Sequence, residues 1–228
     1  MQYYMLALFW PQSSCVQHLA DTGVGCTIPP FIDGWTLHGL WPEASPNNPQ
    51  NCSGQGGLNL TELRPARGAL LRLWPEVFAD REAWQFWQHE WEKHGSCALA
   101  AGDVRSQLDY FVRALELGLR YDPGAALHAA GLEPRRQPHR TAHLLAALTS
   151  VLPRRALVRC ERPAGAPLPL LSELRVCVDR HWQPAHCYPA DGSAIRQHGC
   201  DADTVLYPPI RHETVPRWPD WLPTKGDV

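Results

Sequence analysis

The chain has 228 residues, of which 44% are hydrophobic, and a formal net charge of −2 at pH 7. We expect a single domain over residues 1–228, because no repeat, linker or shift in composition divides the chain. The charge balance excludes a generally basic surface for nucleic acid, so a polyanionic partner needs a local cationic site. No apolar run approaches the ~18 residues of a membrane span, and no membrane partner is expected.

Strands are expected towards both ends of the chain. Residues 3–10 are apolar on both alternations, which indicates a strand buried on two faces and ended by Pro11. A loop is expected between Cys15 and Cys26, and a long one over 43–57, which is rich in Pro, Asn and Gly. The further strands are expected at 33–39, 155–160, 171–179 and 204–207.

Helices are expected in the middle of the chain. One covers 81–94 with Asp80 as its cap, and another runs from Val104 until Gly118 ends it. Strands, then helices, then strands favour an α+β fold with a central, mainly antiparallel sheet, several packed α-helices and stabilising disulfides. The shorter helices are expected at 123–130 and 141–149.

The eight cysteines form an even set without any C-x-x-C pair, which argues against zinc ribbons and thioredoxin-type redox sites. Four disulfides in an oxidising compartment are expected. They imply a secreted or periplasmic protein whose signal peptide has been removed. Sequence alone leaves all 105 pairings of eight cysteines open.

The stretch 86–97 gathers two histidines, a carboxylate and a lysine within six positions. That much titratable chemistry does not serve stability, because lysine and histidine repel and two histidines form no apolar seam. The pattern indicates a surface for proton transfer and anion binding. At about 100° per residue, a helix turns all four to one face, at roughly 0°, 40°, 100° and 140° for His89, Lys93, Glu90 and His94.

Two interpretations of this helix compete with catalysis. A zinc peptidase is conceivable because His89-Glu90 begins an H-E-x-x-H motif, whose second histidine follows four residues after the first. Here His94 is five residues on and Lys93 occupies the ligand position, so no metal or cofactor is expected. A purely structural role at a helix end is the other interpretation, weakened by two histidines beside Glu90 and Lys93.

The third interpretation is acid–base catalysis on a phosphodiester. Cleavage of RNA by internal transfer needs a base for the 2′-hydroxyl, an acid for the leaving 5′-oxygen and a cation for the phosphorane. Imidazole suits both proton transfers, since its ordinary pKa is about 6.5. His38 is the candidate partner outside the helix, because it alternates with Trp35 and Leu37, which are expected in the core.

Two segments closely resemble the active-site segments of the ribonuclease T2 family. They are 36–42 (Thr-Leu-His-Gly-Leu-Trp-Pro) and 89–97 (His-Glu-Trp-Glu-Lys-His-Gly-Ser-Cys). The resemblance extends to the strands that end at Trp10 and Asp179, and so spans most of the chain. It implies a metal-independent endoribonuclease that converts single-stranded RNA to 2′,3′-cyclic phosphates and hydrolyses these, more slowly, to 3′-phosphates.

The resemblance also implies a role for each residue of the cluster. His94 matches the base toward the 2′-hydroxyl and His38 the acid, with the roles exchanged in the hydrolytic step. His89 matches the phosphate-binding histidine. Glu90 and Lys93 match the pair that polarises the phosphate and stabilises the pentacoordinate intermediate.

Base contacts are implied for three further residues. Trp41 and Phe86 match positions where rings stack on bases, worth about 1–3 kcal/mol per base; the alternative for both is the hydrophobic core. Glu43 matches a position whose carboxylate or amide contacts the first base. Phe9 departs from the family, which commonly has glutamine there, so broad base specificity is expected.

The resemblance further implies the disulfides Cys15–Cys26, Cys52–Cys97, Cys160–Cys200 and Cys177–Cys187. No obligate protein partner is expected, and the chain is expected to act as a monomer. The alternative function is a binding, signalling or toxin protein of this fold in which RNA cleavage is secondary. The complete set of catalytic side chains argues against that alternative.

Overall fold

The structure is a computed structural model that describes residues 2–44, 47–52, 54, 56–151, 156–187 and 198–212, without the side chains of 149–151. Its six strands are β1 (Tyr3–Phe9), β2 (Thr36–Glu43), β3 (His139–Arg140), β4 (Leu157–Glu161), β5 (Leu170–Val178) and β6 (Thr204–Val205). Four of them form one antiparallel sheet in the order β2-β1-β5-β4, and β3 pairs with β6. The predicted α+β fold is confirmed.

The helices lie mainly between β2 and β4. A 3-10 turn (Arg64–Ala66) and a π-helical turn (Trp91–Gly95) lie among them. None of the helices in the described part of the chain is both long and apolar enough to cross a membrane. The helices are α1 (Pro11–Thr22), α2 (Arg67–Leu73), α3 (Ala83–Glu90), α4 (Ser96–Ala100), α5 (Gln107–Arg120), α6 (Pro123–Ala129) and α7 (Thr141–Val151).

The loop predicted between Cys15 and Cys26 is wrong for most of its length, because α1 occupies it. Pro11 was expected only to end the strand. Proline is also well accepted at the first helical position, because a backbone N–H there would have no intrahelical acceptor. Gly23 then ends α1 in the left-handed region at φ 73°. The strand-ending proline therefore also begins a helix.

Two predicted helix boundaries are wrong. The cap of α3 is Glu82 rather than Asp80, because Glu82 and Gln85 form a reciprocal capping box. Gly118 does not end α5, which continues to Arg120. Its missing side chain instead makes room for Leu37, whose Cδ2 would lie 3.2 Å from a Cβ at this position.

Strand β2 is longer than predicted and passes through Pro42 to Glu43. Proline lacks the N–H that a central strand must donate, but β2 lies at the edge of the sheet, where that loss is tolerated. The extension brings Trp41 and Glu43 onto the sheet itself.

The main core lies between the sheet and the helices. From the sheet it takes the alternate side chains that face the helices, and α5 supplies much of the opposing surface. Large aromatic rings fill this layer and remain 0–4% exposed: Tyr4, Trp10, Trp74, Trp87, Trp91, Tyr110 and Phe111. Side chains that alternate with these on β1 and β5 form a smaller apolar cluster, which contains Tyr3, Met5 and Cys177.

All four predicted disulfides are confirmed: Cys15–Cys26, Cys52–Cys97, Cys160–Cys200 and Cys177–Cys187. Cys97 lies in α4, immediately after the π-helical turn, and Cys52 lies in the loop that follows β2. This bridge joins two segments 45 positions apart.

We expect the Cys52→Ala/Cys97→Ala double variant to lose about 4 kcal/mol of unfolding free energy, because the bridge restricts a long loop in the unfolded chain. The matched control is Cys177→Ala/Cys187→Ala, whose separation is only 10 and whose expected loss is about 3 kcal/mol. Urea denaturation measures both. A loss below about 1 kcal/mol for the first variant would contradict the expectation.

Candidate active site

His38 is the extra residue of a β-bulge. In the register of β1 against β2, Ala7 pairs with Gly39 and Leu8 pairs with Leu37, so His38 lies unpaired between them. A bulge interrupts the alternation of a strand and re-aims a side chain. Leu37 enters the core, whereas the His38 side chain remains 36% exposed.

Trp41 joins β2 to α3 by a hydrogen bond in which its indole Nε1 donates to Glu90 Oε2 over 2.8 Å. Gly39 makes this contact possible, because a Cβ there would overlap both of these atoms. Glu90 is only 2% exposed, and its burial raises its pKa to about 7 despite the opposing effects of His38 and Trp41. This carboxyl can hold or release a proton near neutral pH.

The helix that carries the predicted cluster changes its winding after Glu90. Trp91–Gly95 form a π-helical turn, in which hydrogen bonds span five residues instead of four. The winding of 100° per residue that was assumed for the whole segment therefore ends at Glu90. His89 points outward with a side chain 60% exposed, while Glu90 and His94 point inward and are 2% and 7% exposed.

His94 packs against Trp41, with ring centroids 5.4 Å apart. Its Nδ1 is buried and has no hydrogen-bond partner among the described residues, which leaves Nε2 as the nitrogen available to a substrate. Burial, followed by the charges of Lys93 and His89, lowers the pKa of His94 to about 3. The ring is therefore neutral at ordinary pH and able to accept a proton.

His38 has the opposite surroundings. Its Nδ1 lies 2.6 Å from Oε2 of Glu173 on β5. Burial lowers the pKa of His38, but the hydrogen bond and charge of Glu173 outweigh burial and raise it above its ordinary value. Glu173 also accepts a hydrogen bond from Arg175 Nε. Burial would raise the pKa of Glu173, yet its two cationic partners hold it well below the usual range.

His89 and Lys93 lie nearer the surface. His89 Nε2 is 4.0 Å from Glu90 Oε1, and burial together with the charge of Lys93 lowers the pKa of His89. Lys93 is half-buried on the π-helical turn and has no carboxylate partner within the described ranges. An ammonium that makes no ion pair in this part of the chain is suited to contact a phosphate oxygen.

A groove of about 370 Å³ opens beside His38. Its wall includes Phe86, whose ring centroid is 6.1 Å from that of His38, and Phe9, whose ring meets His38 edge-on at 5.5 Å. His89 and Glu90 also line it, whereas Trp41, Glu43, Lys93 and His94 do not. Phe9 and Phe86 thus flank His38 in a groove whose lining is otherwise mostly polar and charged.

Trp41 lies beyond this groove and is in contact with both histidines. Its ring centroid is 5.0 Å from that of His38, and the Arg175 guanidinium lies 5.0 Å from the same ring. Glu43 follows at the end of β2, where burial raises its pKa to about 7 in spite of the Arg175 charge. The predicted site residues therefore divide between the groove and the surroundings of Trp41.

Glu173 and Arg175 were not among the predicted site residues. A signal was present, because two opposite charges two positions apart lie on one face of a strand. Their relation to His38 depends on the pairing of β5 with β1 and of β1 with β2, which brings Glu173 opposite Phe9 and Phe9 opposite Thr36. That register is not visible in the sequence.

The arrangement combines two imidazoles in contrasting environments, a buried carboxyl and a lysine. Such a set can remove a proton at one place, deliver one at another and hold an anion between them. Among the residues that the structure describes, no three His, Cys, Asp or Glu side chains lie close enough together to hold a metal ion.

Comparisons with known proteins agree over most of the chain. The model of the Ribonuclease T2 family matches residues 1–187. Ribonuclease Oy of Magallana gigas is 28% identical over 217 residues, which cover 91% of this chain and 96% of that protein. Ribonuclease T2 of Sus scrofa is 30% identical over 206 residues, covering 88% and 93% respectively.

Solved structures show the same fold. Human RNase T2 superposes with a TM-score of 0.73 at 28% identity, covering 92% of this chain and 99% of that one. RNase NT in complex with 5′-AMP superposes with a TM-score of 0.76 at 23% identity, with 92% and 99% covered. From the family match, the relatives and the shared fold together, the chain belongs to the ribonuclease T2 family.

Proposed function

We propose that the protein is an endoribonuclease that cleaves single-stranded RNA by metal-independent acid–base transesterification. The observation that carries this proposal is the contact of His38 and His94 with one indole, which brings two imidazoles of opposite protonation preference to one place. Relatives named ribonucleases support the same activity. The products are 2′,3′-cyclic phosphates, which the enzyme hydrolyses more slowly to 3′-phosphates.

His94 is the base of the first step and His38 is the acid. His94 lacks a carboxylate partner and is neutral, so Nε2 can take the proton of the 2′-hydroxyl. His38 is stabilised as an imidazolium by Glu173, so it can protonate the leaving 5′-oxygen. In the hydrolytic step the two roles are exchanged.

Lys93, His89 and Glu90 stabilise the phosphorane. Lys93 supplies a full positive charge, His89 binds a phosphate oxygen, and Glu90 orients Trp41 while sharing a proton with the phosphate. Interactions aimed at charge that develops in the transition state are typically worth about 3–4 kcal/mol each. No cofactor is needed for these steps.

Base recognition is broad. Phe86 stacks on a base in the groove, Trp41 offers a second aromatic surface, and Glu43 contacts the first base, donating a proton when it is protonated. Phe9, at the side of His38, provides no hydrogen-bonding group to select a base. The four disulfides are consistent with the secretory pathway, and we place the protein outside the cell or in the periplasm as a monomer.

The decisive test is digestion of single-stranded RNA in excess EDTA. We expect an unchanged rate and cyclic-phosphate ends, and a loss of about 10²–10⁴-fold in His38→Phe and His94→Phe, the usual contribution of general acid–base catalysis. His128→Phe, at an exposed histidine of α6, is the control. Loss of activity on chelation, or undiminished cleavage by both histidine variants, would refute the proposal. Absence of cleavage by the wild-type protein would favour a binding or signalling role.

The pH profile of kcat/KM should be asymmetric about the ordinary histidine pKa. Its acidic limb reports protonation of His94 and should lie far below 6.5, while its alkaline limb reports deprotonation of His38 and should lie above 6.5.

Because the Lys93 charge lowers the pKa of His94, Lys93→Gln should move the acidic limb to higher pH and also reduce kcat about 100-fold. An unmoved acidic limb in this variant would contradict the assignment of His94.

Gly39→Ala should reduce kcat/KM about 100-fold, because the new Cβ would overlap Trp41 Nε1 and Glu90 Oε2. A catalytic group displaced by about 1 Å typically lowers the rate by that factor. Gly34→Ala is the control, since no atom lies within 4 Å of a Cβ at that position. Steady-state assays on RNA compare the two variants. Equal activities would show that the Trp41–Glu90 hydrogen bond is dispensable.

A further inference from the structure

Glu173 is a buried carboxylate at the edge of the proposed site. Its side chain is 8% exposed and lies on β5 opposite Phe9. Burying a carboxylate is costly unless its charge is paired and its oxygens accept hydrogen bonds. Both oxygens of Glu173 are used in this way: Oε2 lies 2.6 Å from His38 Nδ1, and Oε1 accepts from Arg175 Nε.

These contacts leave Glu173 little freedom to rotate. The β5 strand is bulged just before it, since Arg159 of β4 pairs with Glu173 while Cys160 pairs with Leu171. Arg175 is itself anchored, because its guanidinium packs 5.0 Å from the Trp41 ring. The pairing of β5 and the anchored Arg175 thus fix the carboxylate, with one oxygen directed at the imidazole of His38.

We propose that Glu173 is the positioning residue of the general acid: it accepts Nδ1–H of His38 and so directs Nε2–H to the leaving 5′-oxygen of RNA. This role rests on the proposed ribonuclease function. A histidine that donates through one nitrogen has its ring orientation and tautomer fixed at the other. After Nε2 gives up its proton, Glu173 keeps Nδ1–H in place, so the neutral ring presents a lone pair at Nε2 for the next step.

The charges around His38 favour its protonated form. Glu173 on β5 and Glu90 on α3 both raise the pKa of His38, while burial and Arg175 lower it. His89 on α3 and His94 on the π-helical turn each interact electrostatically with His38, and Arg159 lines the groove from β4. Neutralising Glu173 removes the hydrogen-bonded charge from this balance, so the pKa of His38 should fall.

The leaving group separates a positioning role from a structural one. A ribodinucleoside phosphate such as UpA expels a poor leaving group that needs a proton, whereas uridine 3′-(4-nitrophenyl phosphate) expels a stable phenolate that needs almost none. If Glu173 acts through the acid, Glu173→Gln should reduce kcat/KM on UpA about 10- to 100-fold, a part of what general acid catalysis supplies. On the nitrophenyl ester, kcat/KM of Glu173→Gln should stay within about threefold of the wild-type value.

Glu116→Gln is the matched control. It removes a carboxylate on α5 that is paired with Arg113 at 2.7 Å and does not line the groove. Both substrates should be cleaved by this variant at the wild-type rate. Equal losses of Glu173→Gln on both substrates, or no loss on either, would overturn the positioning role, while absence of cleavage by the wild-type protein would overturn the proposed function and this role with it.

Two pH titrations test the same role, and the first, by NMR, uses only the wild-type protein. The His38 ring should carry its proton on Nδ1 when neutral and should titrate above the ordinary value of about 6.5. In Glu173→Gln the alkaline limb of kcat/KM on UpA should move to lower pH. A His38 that titrates at or below 6.5 in the wild-type protein, or that carries its proton on Nε2 when neutral, would overturn the role even if the variant fails to fold.

Discussion

The hydrogen bond from Trp41 to Glu90 is the contact on which the candidate site depends. It joins the edge strand β2 to helix α3 at 2.8 Å, and it exists only because Gly39 presents no side chain between them. Both histidines are then placed by packing against the same indole. Burial raises the pKa of Glu90 to about 7, so the carboxyl is partly protonated near neutral pH. The contact therefore does not leave a full unpaired charge inside the protein.

The candidate residues on β2 and α3 could be proposed from the sequence, because each motif is local. Helix α3 and the strand that carries His38 follow from short-range patterns, and the resemblance supplied the disulfides that the structure contains. What the short-range patterns could not give is how the motifs meet. The bulge at His38 arises from the pairing of β1 with β2, and nothing in either strand alone specifies one unpaired residue.

The remaining errors have equally physical causes. A helical wheel assumes one winding throughout, whereas the winding changes at the π-helical turn after Glu90, where Trp91 and His94 are buried. Helix α1 was missed because its first residue, Pro11, also ends a strand, and its low amphipathicity gave no strong periodic signal. Glu173 was missed because it meets His38 only across two neighbouring strands.

The contrast between the two histidines also bears on the order of the proposed steps. His94 is buried without a carboxylate and favours the neutral ring, while His38 is paired with Glu173 and favours the imidazolium. The proposed transesterification starts from these favoured states. It ends with the proton on His94 and His38 neutral, the reverse of what each environment stabilises, so both rings relax towards their starting states by exchange with solvent. In the proposed mechanism, hydrolysis of the cyclic phosphate needs the unfavoured pair, so the environments that favour the first step disfavour the second.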